Sequence, residues 1–388
     1  MNKATLHDSR RFHELDSLRG IAAFMVVIHH FYVAQGTETY SRLSHSSLRF
    51  LVMGNEAVIL FFVLSGFVLT LPYERSGGMS YGKFIVKRIC RIYLPYLGAL
   101  ALAVAMNFFY HGLATDVGWI RETWHKKPNL HLIIQHVLFL GSYDWNALNS
   151  AFWSLIYEMR ISLIFPILAI MALRFRAAWM LLFAVALSLS ARPLSYAICS
   201  LFGLDPASLE VFRTAETLHF AAFFILGAVL AENRKVTREQ YLRLPGIAAL
   251  SLCILAVVLY SHPYHSFDLG APVLFPGQVE QWSVAAGAVV IITLALSSNL
   301  FQRVLHHGAI RYLGRISYSL YLVHVIVLLS LIYVFHGAVN YRILPLYLVG
   351  AIGVATAFYY LLEKPAMLLG QRLGKGAALI QNGGRRVE

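Results

Sequence analysis

Ionisable side chains lie inside an apolar run at residues 16–36, DSLRGIAAFMVVIHHFYVAQG, which is long enough to span a bilayer. Such groups are costly in a membrane and normally face a protein interior or a water-filled cavity. Arg19 and His30 are eleven residues apart, so on a helix they share one face about 16 Å apart, whereas His29 points elsewhere. The shared face predicts a reaction site. The alternative is an end-cap arginine and a histidine packed against a neighbouring helix.

A cluster of positive charge lies in the segment YGKFIVKRICRIYLPYL, just before the next long apolar run. Arg88 and Arg91 are three residues apart and share a helix face, and Lys87 lies beside them. Guanidinium groups make bidentate hydrogen bonds to phosphates, so these three residues are predicted to bind an anionic co-substrate. The alternative is that they only anchor the loop on the cytoplasmic side.

The segment AFWSLIYEMRISLIFPIL carries Glu158 and Arg160 at membrane depth. An isolated charge there costs about 2.5–3.5 kcal/mol or more. The two residues are two positions apart and cannot pair across one helix face, so each needs a partner from another helix or a wet cavity. Glu158 is therefore a predicted functional residue, and Trp153 in the same segment is predicted to lie at the membrane interface.

Weaker signals come from two other spans. Ser65, Gly66 and Thr70 are small residues in the bulky run EAVILFFVLSGFVLT, which favours close helix packing. His324, in RISYSLYLVHVIVLL, is predicted to line the same cavity as His30, or else to be a hydrogen-bonded core residue.

The sequence predicts no metal site and no disulfide framework. Cys90, Cys199 and Cys253 are scattered, with no CxxC spacing. His262 and His265 have no cysteine or acidic neighbour at metal-ligand spacing, which indicates a solvated loop and not a zinc site.

The composition defines the class of protein. Of 388 residues, 58% are hydrophobic and only 13% are charged, against about 25% charged in a soluble domain. We predict an all-α, polytopic membrane helical bundle of about ten transmembrane helices. The predicted spans are 18–36, 56–73, 92–110, 150–172, 177–191, 216–231, 244–260, 282–297, 316–335 and 344–362. The apolar stretch 130–141 is too short to span and predicts a re-entrant or interfacial segment.

The net charge of +13 indicates Lys and Arg in cytoplasmic loops and not a nucleic-acid-binding surface. An N-terminus placed inside puts most of the 32 Lys and Arg on the cytoplasmic side. Both termini are therefore predicted to be cytoplasmic, in a plasma (bacterial inner) membrane, and the first span is predicted to be a retained signal anchor. The predicted division is a tail at 1–15, a membrane domain at 16–363 and a tail at 364–388.

The motifs LDSLRGIAAFMVVIHHF, FFVLSGFVLT, KRICRIYLPY, FWSLIYE and SYSLYLVH, in this order, resemble acyltransferase family 3. These are integral membrane enzymes that O-acylate surface polysaccharides, Nod factors and some antibiotics. The family's arginine–ten residues–histidine signature falls on Arg19 and His30, and its RxxR signature falls on Arg88 to Arg91. Its GFxxS-like element ends at Thr70, which replaces the usual serine. EKPAMLLG resembles the terminal acidic–proline element of the family.

The resemblance implies transfer of an acyl group, acetyl first of all, from cytoplasmic acyl-CoA to a hydroxyl of a carbohydrate or glycoconjugate. Acyl-CoA would be a co-substrate, with no permanently bound cofactor and no metal. His30 is predicted to be the general base, because an unperturbed histidine has a pKa of about 6.5. Arg19 would hold the thioester end or the phosphates, and Glu158 would orient the acceptor or a partner. The residues predicted to contact substrate are Asp16, Ser65, Thr70, Trp153 and His324.

Two alternatives to direct transfer stay open. Intramembrane histidine, glutamate and arginine suit proton-coupled transport equally well, which predicts a transporter or flippase of an anionic or lipid-linked saccharide. A covalent acyl-histidine relay across the membrane is a variant of the enzyme. In each case the partners are the lipid bilayer and small molecules, and nucleic acid is not among them.

Overall fold

The computed structural model describes residues 12–74, 79–112, 117–138, 143–203, 209–261, 277–337 and 339–383. The predicted solvated loop with His262 and His265 lies outside the described residues, as do residues 1–11 and 384–388 of the predicted tails. Regular structure in the described ranges is helical. This confirms the predicted all-α class.

The helices are numbered in chain order. They are α1 His13–Val33, α2 Thr37–Ser44, α3 Gly54–Thr70, α4 Tyr81–Arg88, α5 Leu94–Phe109, α6 Gly118–Glu122, α7 Leu130–Leu138, α8 Trp153–Arg174, α9 Ala177–Phe202, α10 Leu209–Leu242, α11 Gly246–Tyr260, α12 Gln278–Ser297, α13 Asn299–Leu305, α14 Gly308–Val334, α15 Leu344–Phe358 and α16 Lys364–Gly383. Two π-helical turns, Ile89–Tyr93 and Tyr359–Glu363, join α4 to α5 and α15 to α16. A 3₁₀ turn at Ser150–Phe152 leads into α8.

Each of the predicted spans overlaps one of these helices. Seven helical segments of the described chain are long and apolar enough to cross a membrane. They are Tyr81–Phe109, Ser150–Arg174, Ala177–Phe202, Arg213–Leu242, Gln278–Ser297, Gly308–Val334 and Tyr341–Gly374. Helices α3 and α11 are apolar but shorter, and the polar residues of α1 lower its hydropathy. The membrane bundle is therefore confirmed, while the number of ten spans is approximate.

Helix α1 packs along α14 through glycine. A Cβ atom on Gly20 would collide with the backbone at Gly314, and one on Gly314 would collide with the carbonyl of Asp16. Beside this contact, Ser17 Oγ donates a hydrogen bond to the carbonyl oxygen of Leu305, 2.6 Å away. Small residues permit such close approach where lipid supplies no hydrophobic drive between helices. The two helices that carry Arg19, His30 and His324 are thus fixed against each other.

Helix α3 packs in the same way against α10. A Cβ atom on Gly66 would meet the carbonyl of Phe224, and one on Gly227 would meet the carbonyl of Val63. Gly66 therefore serves helix packing, as the sequence favoured for this span. Thr70 is fully buried and donates its hydroxyl to the Gly66 carbonyl one turn earlier, at 2.8 Å.

The predicted C-terminal tail begins as a helix. Helix α16 continues from α15 through the second π-helical turn and packs against α4. A Cβ atom on Gly370 would lie 2.8 Å from Cys90 Cβ, which shows how closely the two segments approach. In the predicted short stretch 130–141, the described residues 130–138 form α7, which is nine residues long and too short to span a bilayer. The orientation in the membrane and the division into tails and membrane domain stay predictions.

Candidate active site

An open cavity lies between α1, α3, α8, α14 and the π-helical turn Ile89–Tyr93. Its empty volume is about 620 Å³, and this value includes the solvent-filled entrance. Its apolar wall is formed by Val58, Phe61, Phe62, Ile92 and Leu155. Its polar lining consists of Arg19, Ser65, Arg88, Arg91, Ser154, Glu158, Ser317, Tyr318 and Tyr321. The structure thus brings together five residues that the sequence predicted from four separate segments: both arginines of the RxxR pair, Arg19, Ser65 and Glu158.

Glu158 and Arg88 form an ion pair across this cavity. Arg88 Nη2 lies 2.7 Å from Glu158 Oε1, and Arg88 Nε donates to Ser162 Oγ at 3.0 Å. Ser65 Oγ donates to the same Glu158 oxygen at 3.4 Å. Helix α4 therefore supplies the interhelical partner that Glu158 requires. The charge of Arg88, whose side chain is 7% exposed, is already balanced by this carboxylate.

Arg19 and Arg91 also line the cavity, and no carboxylate of the described residues lies within ion-pair distance of either guanidinium. Arg91 is exposed, and its Nη1 donates to Met367 Sδ at 3.5 Å. Three guanidinium groups thus face one carboxylate, so the lining carries excess positive charge. This arrangement favours an anionic ligand.

His30 lies at the far end of α1 from Arg19, against His324 of α14. His30 Nδ1 is 2.9 Å from the Val26 carbonyl oxygen and 3.2 Å from His324 Nε2. His324 Nδ1 is 3.1 Å from the carbonyl oxygen of Leu320. His30 Nε2 is 3.4 Å from Ser150 Oγ. The two histidines are therefore neighbours, but neither is among the residues that line the cavity, which His324 was predicted to share with His30.

These contacts assign the proton positions of the two neutral rings. A carbonyl oxygen only accepts, so Nδ1 of His324 donates to Leu320 and Nε2 of His324 carries a lone pair. Nδ1 of His30 then faces two acceptors and must hold the proton of that ring. Nε2 of His30 is left unprotonated and faces the Ser150 hydroxyl. It is the atom available to act as a base.

Ser150 belongs to the 3₁₀ turn Ser150–Phe152, which Asn149 fixes in place. The Asn149 side-chain oxygen accepts from the backbone N–H of Ala151 at 3.0 Å, and its Nδ2 donates to the Leu322 carbonyl of α14 at 2.9 Å. Trp119 Nε1 donates to Ser150 Oγ at 3.2 Å. Sequence reasoning missed Ser150 and Trp119. The only local signal is an asparagine cap before an apolar run, which predicts a helix start and not a site.

Two residues join the histidines to the cavity. The hydroxyl groups of Ser154 and Tyr321 lie 2.7 Å apart in the cavity lining. Ser154 lies one turn along from Ser150, and Tyr321 lies one turn before His324, with the ring centroids of the last pair 5.9 Å apart. The cavity and the histidine cluster are therefore neighbouring parts of one polar region.

His29 contacts a different part of the fold. Its Nδ1 lies 2.7 Å from the Val52 carbonyl oxygen, and its ring packs onto Gly54, where a Cβ would come within 2.6 Å of His29 Cδ2. It shares none of the polar partners of His30. The helical phase predicted from the sequence thus separates the two neighbours as expected.

Several predicted ligand residues do not line the cavity. Lys87 lies against α16, where a Cβ on Gly374 would be 3.5 Å from its Cε. Trp153 packs its ring against those of Tyr157 and Phe220, with centroids 5.9 Å apart in each case. Asp16 lies one turn before Arg19, with its backbone carbonyl against the α14 seam. Thr70 donates its hydroxyl within its own helix, so these four residues lie around the cavity and do not line it.

Arg160, the other charge in α8, faces α10. Its Nη1 donates to the Arg213 carbonyl oxygen and to Thr217 Oγ1, both at 3.3 Å. The second intramembrane charge therefore also has an interhelical partner, as its position required.

The family model described as an acyltransferase domain matches residues 12–363. The peptidoglycan O-acetyltransferase OatA of Listeria monocytogenes is 21% identical over 338 residues, which cover 84% of this chain and 50% of that protein. The putative peptidoglycan O-acetyltransferase YrhL of Bacillus subtilis is 27% identical over 378 residues, 92% of this chain and 55% of that protein. Protein 2 in picA locus of Rhizobium radiobacter is 30% identical over 166 residues, 40% of this chain and 81% of that protein.

The chain spans about half the length of the two O-acetyltransferase relatives. No solved structure matches it.

Proposed function

Because the chain belongs to acyltransferase family 3, whose domain covers residues 12–363, we propose that it is a membrane O-acyltransferase. It moves an acyl group, acetyl first of all, from acyl-CoA to a hydroxyl of a carbohydrate or glycoconjugate. Two relatives that are matched over most of this chain are named peptidoglycan O-acetyltransferases, which supports a saccharide acceptor. The observation that carries the proposal is a positively charged cavity whose lining residues Ser154 and Tyr321 lie one helical turn from Ser150 and His324, which both contact the His30 ring.

The cavity suits the donor. Coenzyme A is strongly anionic, and Arg19 and Arg91 present guanidinium groups without a carboxylate partner among the described residues. Arg88 is bound to Glu158, so we assign this pair the role of shaping the cavity and not of a second free phosphate ligand. The apolar wall with Phe61 and Phe62 is available for the acyl chain and the pantetheine arm.

His30 supplies the base in this proposal. Its Nε2 takes the proton from the hydroxyl that attacks the thioester, and the departing thiolate of coenzyme A is protonated in turn. His324 orients the His30 ring through the 3.2 Å contact to Nδ1. A positioned base typically contributes a rate factor on the order of 10²–10⁴.

The charge distribution supports an orientation with both termini in the cytoplasm of a bacterial cell. Lys and Arg concentrate in loops on that side. The donor cavity at the Arg88–Arg91 end then opens toward the cytoplasm, where acyl-CoA is made. Cysteine labelling of Thr237 from inside and of Ser266 from outside tests this orientation, and labelling of both from one side contradicts it.

The purified protein in lipid nanodiscs tests the activity with radiolabelled acetyl-CoA and soluble peptidoglycan fragments. We expect label in the saccharide, and we expect loss of that label with His30→Ala. Movement of saccharide across proteoliposomes without consumption of acetyl-CoA would instead support the transporter alternative. Mass spectrometry of surface glycans from cells with and without the protein then identifies the acceptor.

A further inference from the structure

We propose that Ser150 is a nucleophile that receives the acyl group first, so that transfer proceeds through an acyl-serine intermediate. The inference rests on the proposed function for its acyl-CoA donor, and it adds a residue and a step to that function. It starts from the position of the Ser150 hydroxyl, 3.4 Å from the one nitrogen of His30 that is free to accept a proton.

The hydrogen bonds around Ser150 direct its hydroxyl proton toward His30. Trp119 Nε1 is only a donor, so Ser150 Oγ accepts from it at 3.2 Å. The Ser150 proton is then free to point at His30 Nε2, which is unprotonated because Nδ1 carries the proton of the neutral ring. A nucleophile within reach of a base, with the base oriented by a third group, is the arrangement of covalent catalysis, and such contacts are often longer without substrate. His324 is the third group here.

Helix α14 positions the Ser150 turn and also carries His324. Asn149 is fully buried and bonds to the Leu322 carbonyl of α14, two residues before His324. Ser150, the residue after Asn149, is 8% exposed and sits in the turn that this contact fixes. The nucleophile and the residue that orients its base are therefore positioned by the same segment. Such support is what a precise catalytic geometry needs.

In this proposal the donor reaches the Ser150 hydroxyl from the cavity. Ser154 lines the cavity and lies four residues after Ser150, an axial rise of about 6 Å on a helix. Tyr321 lines the same cavity one turn before His324. The pantetheine arm of coenzyme A is a narrow, flexible chain, so its thioester can extend past the Ser154–Tyr321 pair while the phosphates stay at the arginines.

Ser154 itself is a poorer candidate. Its hydroxyl is paired with the Tyr321 hydroxyl at 2.7 Å and has no histidine partner among the described residues. A serine hydroxyl without an adjacent base is a weak nucleophile. Of the two serines at this end of α8, Ser150 is the one next to a base.

The proposed steps balance with acyl-CoA and the acceptor as the only co-reactants. Ser150 Oγ attacks the thioester carbonyl carbon while its proton moves to His30 Nε2. The C–S bond breaks, and the thiolate of coenzyme A takes that proton, which leaves an oxygen ester on Ser150. A saccharide hydroxyl then attacks the ester and gives its proton to Nε2. The bond to Ser150 breaks, and the serine oxygen recovers the proton.

The test incubates the purified full chain with isotopically labelled acetyl-CoA and no acceptor, followed by acid quench, proteolysis and mass spectrometry. We expect an acetyl group on the peptide that contains Ser150, and we expect it to disappear when saccharide is added. It should be absent from Ser150→Ala and His30→Ala. Ser188→Ala is the matched control, because Ser188 is also bonded to a histidine and lies outside the site, and it should keep the label on Ser150.

Two further measurements separate a nucleophile from a residue that only positions His30. Without acceptor, the wild type should exchange labelled coenzyme A into acetyl-CoA, and Ser150→Ala should lose this exchange. Ser150→Cys should form a thioester that neutral hydroxylamine cleaves, whereas the wild-type ester should resist it. This variant also keeps the test decisive if Ser150→Ala fails to fold.

The outcomes distinguish the two proposals. A wild type that acetylates saccharide but shows neither acetyl-Ser150 nor coenzyme A exchange overturns the serine step and leaves the proposed function standing. Transfer by Ser150→Ala at the wild-type rate does the same. A wild type that never takes an acyl group from acetyl-CoA overturns the proposed function, and the acyl-serine with it.

Discussion

The described part of the bundle contains two clusters of serine, histidine and tryptophan. The cluster outside the candidate site has the shorter hydrogen bonds. In the cluster between α9, α10 and α12, Ser188 Oγ lies 2.7 Å from His219 Nδ1 and accepts from Trp282 Nε1 at 3.0 Å. In the other cluster, the corresponding contacts of Ser150 with His30 and Trp119 are 3.4 Å and 3.2 Å. The same residue types thus make the same kinds of contact in both places.

The two clusters differ in whether a substrate could approach the serine and histidine side chains. Ser188 also receives Gln278 Nε2 at 2.8 Å, and His219 Nε2 lies 2.8 Å from the Gln281 side-chain oxygen. Ser188 is fully buried and His219 is 2% exposed, so no substrate hydroxyl can approach. This cluster joins helices, in the manner of interhelical hydrogen bonds in membranes. His30 is only half-buried and lies next to a charged cavity. The accessibility of the histidine, and not the length of its hydrogen bonds, therefore distinguishes the candidate site.

The largest expected difference between the clusters comes from removing each histidine. We expect His30→Ala to lower turnover on the order of 10²–10⁴-fold, because the base is lost, while the protein still folds and binds acyl-CoA. His219→Ala should keep most of its specific activity and lose thermal stability. Turnover at matched expression, with acyl-CoA binding measured separately, checks both. Equal losses in the two variants would erase the distinction, with Glu158 and His324 as the next candidates for the base.

The second difference is that only the cluster with His30 lies beside the charged cavity. Substitutions of Arg91, which lines this cavity, test that difference. Arg91→Ala should raise the KM for acetyl-CoA about 10- to 100-fold, because a hydrogen bond to a charged group contributes about 1.5–3 kcal/mol. Arg91→Lys should rescue only part of this loss, since lysine lacks the bidentate fork. Arg311→Ala, at an exposed position of α14, is the control and should bind normally. An unchanged KM in Arg91→Ala would leave Arg91 as a topology anchor.

Arg88 is expected to behave differently from Arg91. Arg88→Ala leaves the Glu158 carboxylate unpaired at membrane depth, so it should lower both kcat and thermal stability. The same steady-state assay, combined with thermal unfolding, separates the two arginines. If both variants changed only KM, the ion pair would have no part in shaping the site.

The pH profile gives the next prediction. His30 must be neutral to accept a proton, so its protonation at low pH removes the base. The kcat/KM of the wild type should therefore rise about tenfold per pH unit in the acid limb and then level off. The measurement is acetyl transfer to soluble peptidoglycan fragments across pH at constant ionic strength. A kcat/KM with no acid limb down to the pH at which the protein unfolds would contradict a histidine base.

Ser188→Ala tests how much the cluster of Ser188, His219 and Trp282 contributes to stability without affecting the candidate site. It removes a hydroxyl on which Gln278, Trp282 and His219 converge, so it should lower stability by about 1–3 kcal/mol. Its specific activity should stay near that of the wild type. Thermal unfolding in nanodiscs and acetyl transfer per folded protein are the two readouts. Loss of activity in the folded variant would mean that this cluster also takes part in catalysis.

The smallest effect is expected at His29. His29→Ala removes a hydrogen bond to the Val52 carbonyl, and such bonds in membranes average about 0.6 kcal/mol. Most activity should remain, although the variant shares its span and its neighbour with His30. A loss equal to that of His30→Ala would show that helical phase does not separate the two histidines.

The sequence predicted the elements well because apolar run length and helical phase are local properties. The apolar runs overlap the helices, and the face shared by Arg19 and His30 follows from 3.6 residues per turn. The need of Glu158 for a partner on another helix was also predictable, because two charges two positions apart cannot pair. The identity of that partner, Arg88, depends on which helices pack together.

The missed parts of the site depend on tertiary contacts. Ser150 reaches His30 only because Asn149 ties its turn to α14, far along the chain. Lys87 was grouped with the RxxR pair, but it lies against α16, which continues from the second π-helical turn, and it does not line the cavity. A single sequence shows neither the turn type nor the docking of α16.

The glycine contact between α1 and α14 restricts how the protein can move. Gly20 and Gly314 leave no room for a methyl group between the two backbones. Arg19 and His30 lie on one of these helices and His324 lies on the other, so both ends of the candidate site belong to one rigid pair. A rocking of one half of the bundle against the other leaves their separation unchanged. Any hinge of the bundle must therefore lie elsewhere, and under the proposed function the acyl group passes along this pair from the Arg19 end to the His30 end.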